Sequence, residues 1–229
     1  MIKIAIIGVG GIGARHLQAI AECNESFEIY LIDPKKKSIH NAENIFNAEL
    51  TDKNILKSKF KIHKIDQVNL VKDVAFDICI IATTADIRYN VLQEFLDNCH
   101  TKYLILEKVL FQKIADFVNV ENLLQYKNVK TYVNCNYRLK PYFKDIKNYL
   151  NHHTAIELIV TGFNWGIACN AIHFIDLLCY YTGDISYHLN NGLFLGTFPS
   201  KREGFIEVYG NLNGKTSSGH IINLQCNEG

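Results

Sequence analysis

The sequence predicts an α/β protein: a doubly wound, mostly parallel sheet followed by a smaller, incomplete α+β domain with an open, mostly antiparallel sheet. Three observations carry that prediction. An apolar, β-branched run, Ile2–Ile7, leads straight into Gly8-Val9-Gly10-Gly11-Ile12-Gly13, and apolar residues at helical spacing follow. From there to Asn134, strand-like and helix-like runs alternate. Past Asn136 the alternation stops, and one long apolar helix candidate is followed by strand-like runs with no helix between them. The boundary is accordingly placed between residues 135 and 136, giving domains over 1–135 and 136–229.

The first run reads as β1 because its residues are β-branched and continuously apolar, the pattern of a strand buried on both faces. The glycine segment fits G-x-G-x-x-G. Gly8 permits the tight turn, Gly10 lets a pyrophosphate approach the backbone, and Gly13 lets helix and strand pack closely. Leu17, Ile20 and Ala21 mark the helix, whose N-terminus offers free N–H groups and a positive dipole end to phosphates. The residues Gly8, Gly10, Gly11, Ile12 and Gly13 are therefore candidates for holding a dinucleotide. A second strand, Phe27–Ile32, ends at Asp33, twenty residues after Gly13. An acid there accepts hydrogen bonds from the adenosine ribose hydroxyls and favours NAD, since its charge repels a 2′-phosphate. Lys35, Lys36 and Lys37 lie close by and keep NADP open. A glycine-rich turn with no ligand is the competing reading. Strand, helix and acid at their respective distances argue against it.

Pro34 opens a lysine-rich second helix, to about Phe46. The polar stretch after it has no clear period, although Phe60–His63 reads as a short third strand. Phe76–Ala82 is a buried strand ending at Thr83 and Thr84. Asp86–Asn98 is helical, with Ile87, Val91, Leu92, Phe95 and Leu96 on one face. Tyr103–Leu106 is the fifth strand, Ile114–Tyr126 an amphipathic helix and Lys130–Asn134 a sixth strand. In the second domain, Pro141 suits the first turn of a connecting helix to Leu150. A strand over Ala155–Thr161 and the apolar helix from Ile167 follow, and Gly183 ends that helix. Three strand-like runs come last: Tyr187–Leu195, Gly204–Gly210 and His220–Leu224.

Composition narrows the function classes. A formal net charge of +1 gives no electrostatic case for nucleic acid or an anionic membrane as partner. No uninterrupted apolar span reaches bilayer-crossing length. The N-terminus enters a strand directly, so no signal peptide is expected. Seven cysteines without a C-x-x-C pair fit reduced thiols in a cytoplasm.

Two further constellations carry chemistry. Glu107-Lys108 stands at the carboxyl end of a predicted strand, the edge where open α/β sheets bind ligands. A lysine there can reach a substrate hydroxyl or the nicotinamide ribose; the alternative is an ordinary surface lysine. On the apolar helix, Asn170, His173 and Asp176 recur every three residues on one face. Polar groups in such a helix need partners, so His173 is either a satisfied core histidine or an acid/base. Helical spacing also admits Cys169, His173 and Asp176 as metal ligands, but no fourth ligand stands out and no metal is expected.

At these residues the chain resembles the Gfo/Idh/MocA oxidoreductases. IIATTADIRYNVLQEFL is similar to the family's strand-turn-helix, and LEKVL to its Glu-Lys-Pro motif with Val109 in the proline position. VNCNYRLKPYF is similar to its Asn-x-Arg turn, and NAIHFIDLLCYYTG to its His-x-x-Asp helix closed by glycine. The resemblance implies an NAD(P)-dependent dehydrogenase acting on a hydroxyl carbon of a sugar, polyol or nucleotide-sugar. Lys108 would contact the reacting hydroxyl and the nicotinamide ribose. His173 would exchange the hydroxyl proton, and Asp176 would orient it or bind a substrate hydroxyl. Thr83, Thr84, Arg88 and Glu107 join the cofactor-binding set, with Arg88 where the family often has histidine. Arg138, Asn164 and Asn170 would line the substrate pocket. FNWGIACNAIHFIDL is similar to a subgroup associated with surface-polysaccharide sugar biosynthesis. The family's Asp-x-Gly-x-His reads Cys169-Asn170-Ala171-Ile172-His173 here. Family members continue beyond the strands counted above, so a shortened sheet is expected, with an exposed edge that favours homo-oligomers. Two other readings stay open: a dinucleotide-binding module without turnover, and a reductase of imines or amino acids.

Overall fold

A computed structural model of the chain describes residues 1–150, 155–190 and 192–229. The chain divides into two compact units, Met1–Asn134 and Cys135–Gly229.

The first unit runs β1 (Ile2–Ile7), α1 (Gly11–Ala21), β2 (Phe27–Ile32), α2 (Lys36–Asp52), β3 (Phe60–Ile65), β4 (Ala75–Ile81), α3 (Ala85–Asn98), β5 (His100–Leu106), α4 (Ile114–Tyr126) and β6 (Lys130–Val133). Its strands form one parallel sheet in the order β3-β2-β1-β4-β5-β6. The order reverses between β1 and β4, which opens a crevice beyond their carboxyl ends. Central strands have no solvent face. Ile4 and Ile6 pack into one apolar cluster with Leu17, Ile39 and Phe46, while Ala5 and Ile7 pack into another with Leu92, Phe95 and Leu96. That two-sided burial is why these strands read as unbroken apolar runs. Each such isoleucine or leucine contributes about 1.5–3 kcal/mol on burial.

Helix α2 is longer than its sequence signal, reaching Asp52 rather than Phe46. The reason is packing, since Ile39, Ala42, Phe46 and Leu50 make one buried stripe that continues through the polar segment.

The second unit begins with a 3₁₀ turn, Asn136–Leu139, then α5 (Pro141–Leu150), β7 (Glu157–Phe163), α6 (Ile167–Thr182), β8 (Tyr187–Leu189), β9 (Leu193–Pro199), β10 (Ile206–Thr216) and β11 (Ile221–Asn227). Its sheet runs β7-β11-β10-β8, with β9 also on β10. All pairings are antiparallel except β7 with β11, which is parallel. Among the described residues four strands therefore follow α6 where three were expected. The run Tyr187–Leu195 is broken around Asn190 and Gly192, residue types that favour turns; Asn191, within it, lies outside the described residues. Helix α6 packs Ile167, Ala171, Ile175 and Leu178 on Ile222, Leu224 and Cys226. Gly183, at φ 75°, ends the helix, and its N–H bonds the Cys179 carbonyl at 2.8 Å. Among the described residues no helix is long and apolar enough to cross a membrane.

Candidate functional site

The carboxyl edge of the first sheet gathers most of the predicted cofactor residues. The hydrogen-bond ladder continues past several strand ends: Gly8 N–H to Ile32 O at 2.9 Å, Asp33 N–H to Ile65 O at 3.0 Å, Ala82 N–H to Ile7 O at 2.8 Å and Asn134 N–H to Leu106 O at 2.8 Å. Gly8, Asp33, Thr83, Glu107 and Asn134 thus stand along one edge.

Gly8 holds φ 84°, a left-handed conformation that disfavours a side chain, and a Cβ there would lie 2.7 Å from the Thr83 nitrogen. A methyl at Gly13 would collide with the Gly8 carbonyl oxygen. At Gly10 and Gly11 a Cβ would meet no described atom within 4 Å, so the turn is open on that side. The N-cap residue of α1 is Gly10, which has no side chain to cap the helix, so its first N–H groups can serve an anion. Ile12 stands in that first turn, partly exposed at 44%.

Asp33 is buried. Its Oδ2 accepts the Val9 N–H at 2.8 Å and its Oδ1 the Lys35 N–H at 2.8 Å. These bonds fix the carboxylate against the glycine turn and leave acceptor capacity on both oxygens. Thr83 contributes a buried hydroxyl with no hydrogen-bond partner among the described residues, directly beside Gly8. An orphaned hydroxyl, an open uncapped helix terminus and a fixed carboxylate together fit a dinucleotide. Thr84 is the N-cap residue of α3.

Glu107 is 6% exposed and binds two neighbours that sequence reasoning missed. Its Oε1 meets His16 Nε2 at 2.7 Å and accepts the Asn134 side-chain N–H at 2.6 Å. Burial alone would raise its pKa. The bonds from His16 and Asn134, with the charges of His16 and Arg88, outweigh that and hold it below the ordinary value. His16 lies on α1, so the carboxylate ties that helix to the end of β5, just before Lys108. The Lys108–Val109 peptide is cis. Arg88 is 2% exposed, and its guanidinium donates to the carbonyls of Thr83, Val109 and Leu110.

The second unit collects Arg138, Asp176, His173 and Asn170. Arg138 Nε donates to Asp176 Oδ2 at 2.9 Å and its Nη2 to Oδ1, a bidentate pair that raises the arginine pKa. Asp176, expected to orient His173 or to bind a substrate hydroxyl, accepts from Arg138. His173 itself is buried and stacks on Tyr137, rings 4.6 Å apart and 11° from parallel. Tyr137 also carries the Lys140 ammonium 4.7 Å from its ring centre. Asn170 Nδ2 donates to the Trp165 and Gly166 carbonyls at 2.5 and 3.2 Å. Asn164, at φ 45°, follows β7 and bonds the Gly229 backbone. Glu207 is buried at the start of α6 and accepts the Cys169 N–H at 3.3 Å, a favourable place for an anion.

A parallel sheet in this order, with this turn, defines a dinucleotide-binding Rossmann domain. The chain belongs to the Gfo/Idh/MocA oxidoreductase family, NAD-binding Rossmann fold, which matches residues 2–135. Solved structures share the fold of the whole chain. Myo-inositol dehydrogenase from Lactobacillus casei, solved with NAD(H) and myo-inositol, aligns with TM-score 0.69 and 17% identity, covering 100% of this chain and 68% of that one. Scyllo-inositol dehydrogenase from the same organism, with NAD(H) and scyllo-inositol, gives 0.70 and 15%, over 99% and 70%. The transcriptional regulator Gal80p of Kluyveromyces lactis gives 0.72 and 17%, over 100% and 65%. No curated protein sequence matches the chain.

Proposed function

We propose that the chain is an NAD-dependent dehydrogenase acting on a hydroxyl carbon of a sugar or polyol, with Lys108 and His173 as its catalytic residues. The observation that supports this is the Glu107 carboxylate at the carboxyl end of β5, held by His16 of α1 and by Asn134, with Lys108 next to it in sequence. In this reading Gly8–Gly13 hold the pyrophosphate, and Asp33 accepts the adenosine ribose hydroxyls. The Thr83 hydroxyl and the Thr84 turn line the cofactor. Bound nicotinamide supplies or takes the hydride. Lys108 donates to the reacting oxygen and stabilises its developing charge, while His173 exchanges the hydroxyl proton. Asp176 keeps Arg138 in place to meet substrate hydroxyls, with Asn164 and Asn170 near the same helix start. The inositol complexes of two structures with this fold favour a polyhydroxylated substrate, and sugar biosynthesis for surface polysaccharides is the proposed setting. The free thiols support a cytoplasmic location. Homo-oligomers would form through the second sheet, where Ile159 and Phe163 are exposed at 60% and 69%.

Turnover on a panel of polyols and sugars, followed by NADH absorbance, tests this. Lys108→Ala and His173→Ala are expected to lower kcat by about a hundredfold or more, with NADH binding largely retained. Full activity in either variant would remove that residue from the mechanism. A second reading is a dinucleotide-binding module without turnover, favoured by the likeness to a transcriptional regulator. Clear NADH binding with no turnover on any panel member would select it.

A further inference from the structure

We infer that Arg88 is the positioning residue for the loop bearing Lys108, and that it joins this loop to the turn beneath the cofactor site. The inference rests on the functional reading above, since it concerns how Lys108 is held.

The geometry is specific. Arg88 lies in the first turn of α3, 2% exposed, the most deeply buried charged side chain among the described residues. Nη2 donates to the Thr83 carbonyl, while Nη1 donates to the Val109 carbonyl and, at 2.9 Å, to that of Leu110. The acceptors come from two separate segments, the β4–α3 turn and the loop after β5. Thr83 is the residue packed against Gly8. Val109 and Leu110 directly follow Lys108. One planar fork therefore spans the floor of the cofactor turn and the backbone behind the lysine.

Burying a guanidinium against neutral carbonyls is costly, and an apolar side chain of similar volume would serve packing at least as well. What an apolar residue cannot do is bond two segments at fixed geometry. The residue on the other side of Lys108 is anchored too: Glu107 binds His16 and Asn134. Lys108 thus sits between two anchors, a buried anion before it and a buried cation behind it, and Glu107 feels the Arg88 charge. With its donors turned to the backbone, Arg88 acts on the cofactor through Thr83 and on the substrate through Lys108.

The test labels lysines by reductive methylation with ¹³C-formaldehyde and identifies the Lys108 resonance by its loss in Lys108→Arg. NADH is titrated while that resonance and NADH fluorescence are followed. In the wild type the resonance moves as NADH saturates. In Arg88→Met, NADH binding weakens about tenfold and the Lys108 resonance no longer follows saturation. Arg88→Lys keeps the charge but cannot bridge the two segments, so it shows the same losses. It also carries the comparison where Arg88→Met does not fold. Wild-type affinity together with a wild-type Lys108 response in either folded variant would overturn the inference. A wild-type Lys108 resonance that ignores bound NADH would instead overturn the functional reading on which the inference rests.

Discussion

Asp33 and Glu107 show how buried carboxylates organise this cofactor edge. Asp33 bonds the Val9 and Lys35 N–H groups, and in the proposed reading the same carboxylate faces the adenosine ribose. Asp33→Ser should shift the ratio of NADH to NADPH dissociation constants roughly tenfold toward NADPH, because a like charge facing the 2′-phosphate is removed. An unchanged ratio, read by paired titrations, would take Asp33 out of discrimination. Glu107 yields a pH prediction. Its folded pKa lies below the ordinary value, so it adds stability above that value and loses it as pH falls through the folded one. Unfolding free energy should drop in this acidic window for the wild type and less steeply for Glu107→Gln, in urea titrations at several pH values. Parallel slopes would contradict the assignment. In the sequence Asp33 stands out as a candidate by its distance from the glycines and Lys108 by its place at a strand end. The sequence did not show His16 or Asn134 beside Glu107, because those partners are distant in sequence and meet only when the strands align.

Elements were legible where one period ruled the whole segment. Helix α4 and strand β1 have the ends that their apolar patterns give. Helix α2 was read short because half of it is polar and only every third or fourth residue is buried. The split between β8 and β9 was hidden because apolar residues flank Asn190 and Gly192 on both sides. In α6 the Asn-His-Asp face was visible, whereas the Tyr137 ring against His173 was not, since it comes from a 3₁₀ turn with no periodic signal. The contact between α1 and β1 gives the sharpest test at this scale. Gly13→Ala places a methyl against the Gly8 carbonyl oxygen, so α1 must lift from the sheet. The expected loss is about 1–3 kcal/mol of stability with NADH affinity reduced in parallel. Unchanged melting and binding would show that the turn has slack the structure lacks.

At the scale of the molecule, each unit carries its own polar cluster. The first carries the complete glycine turn, Asp33, the orphaned Thr83 hydroxyl and the Glu107–Lys108 strand end. The second carries His173 stacked on Tyr137 and the Arg138–Asp176 pair, joining a 3₁₀ turn to a helix packed over a mixed sheet. The doubly wound class was legible because alternating strands and helices leave a plain apolar rhythm. The parallel β7–β11 pairing was not, since strand direction leaves no mark in a single strand's sequence. Everything proposed for turnover depends on a dinucleotide seated at the first unit's carboxyl edge. Isothermal titration of the chain with NADH measures that directly. Saturable binding at one site per chain is expected, weakened by Gly13→Ala and by Asp33→Ser. No heat of binding from either NADH or NADPH at millimolar concentration would contradict it.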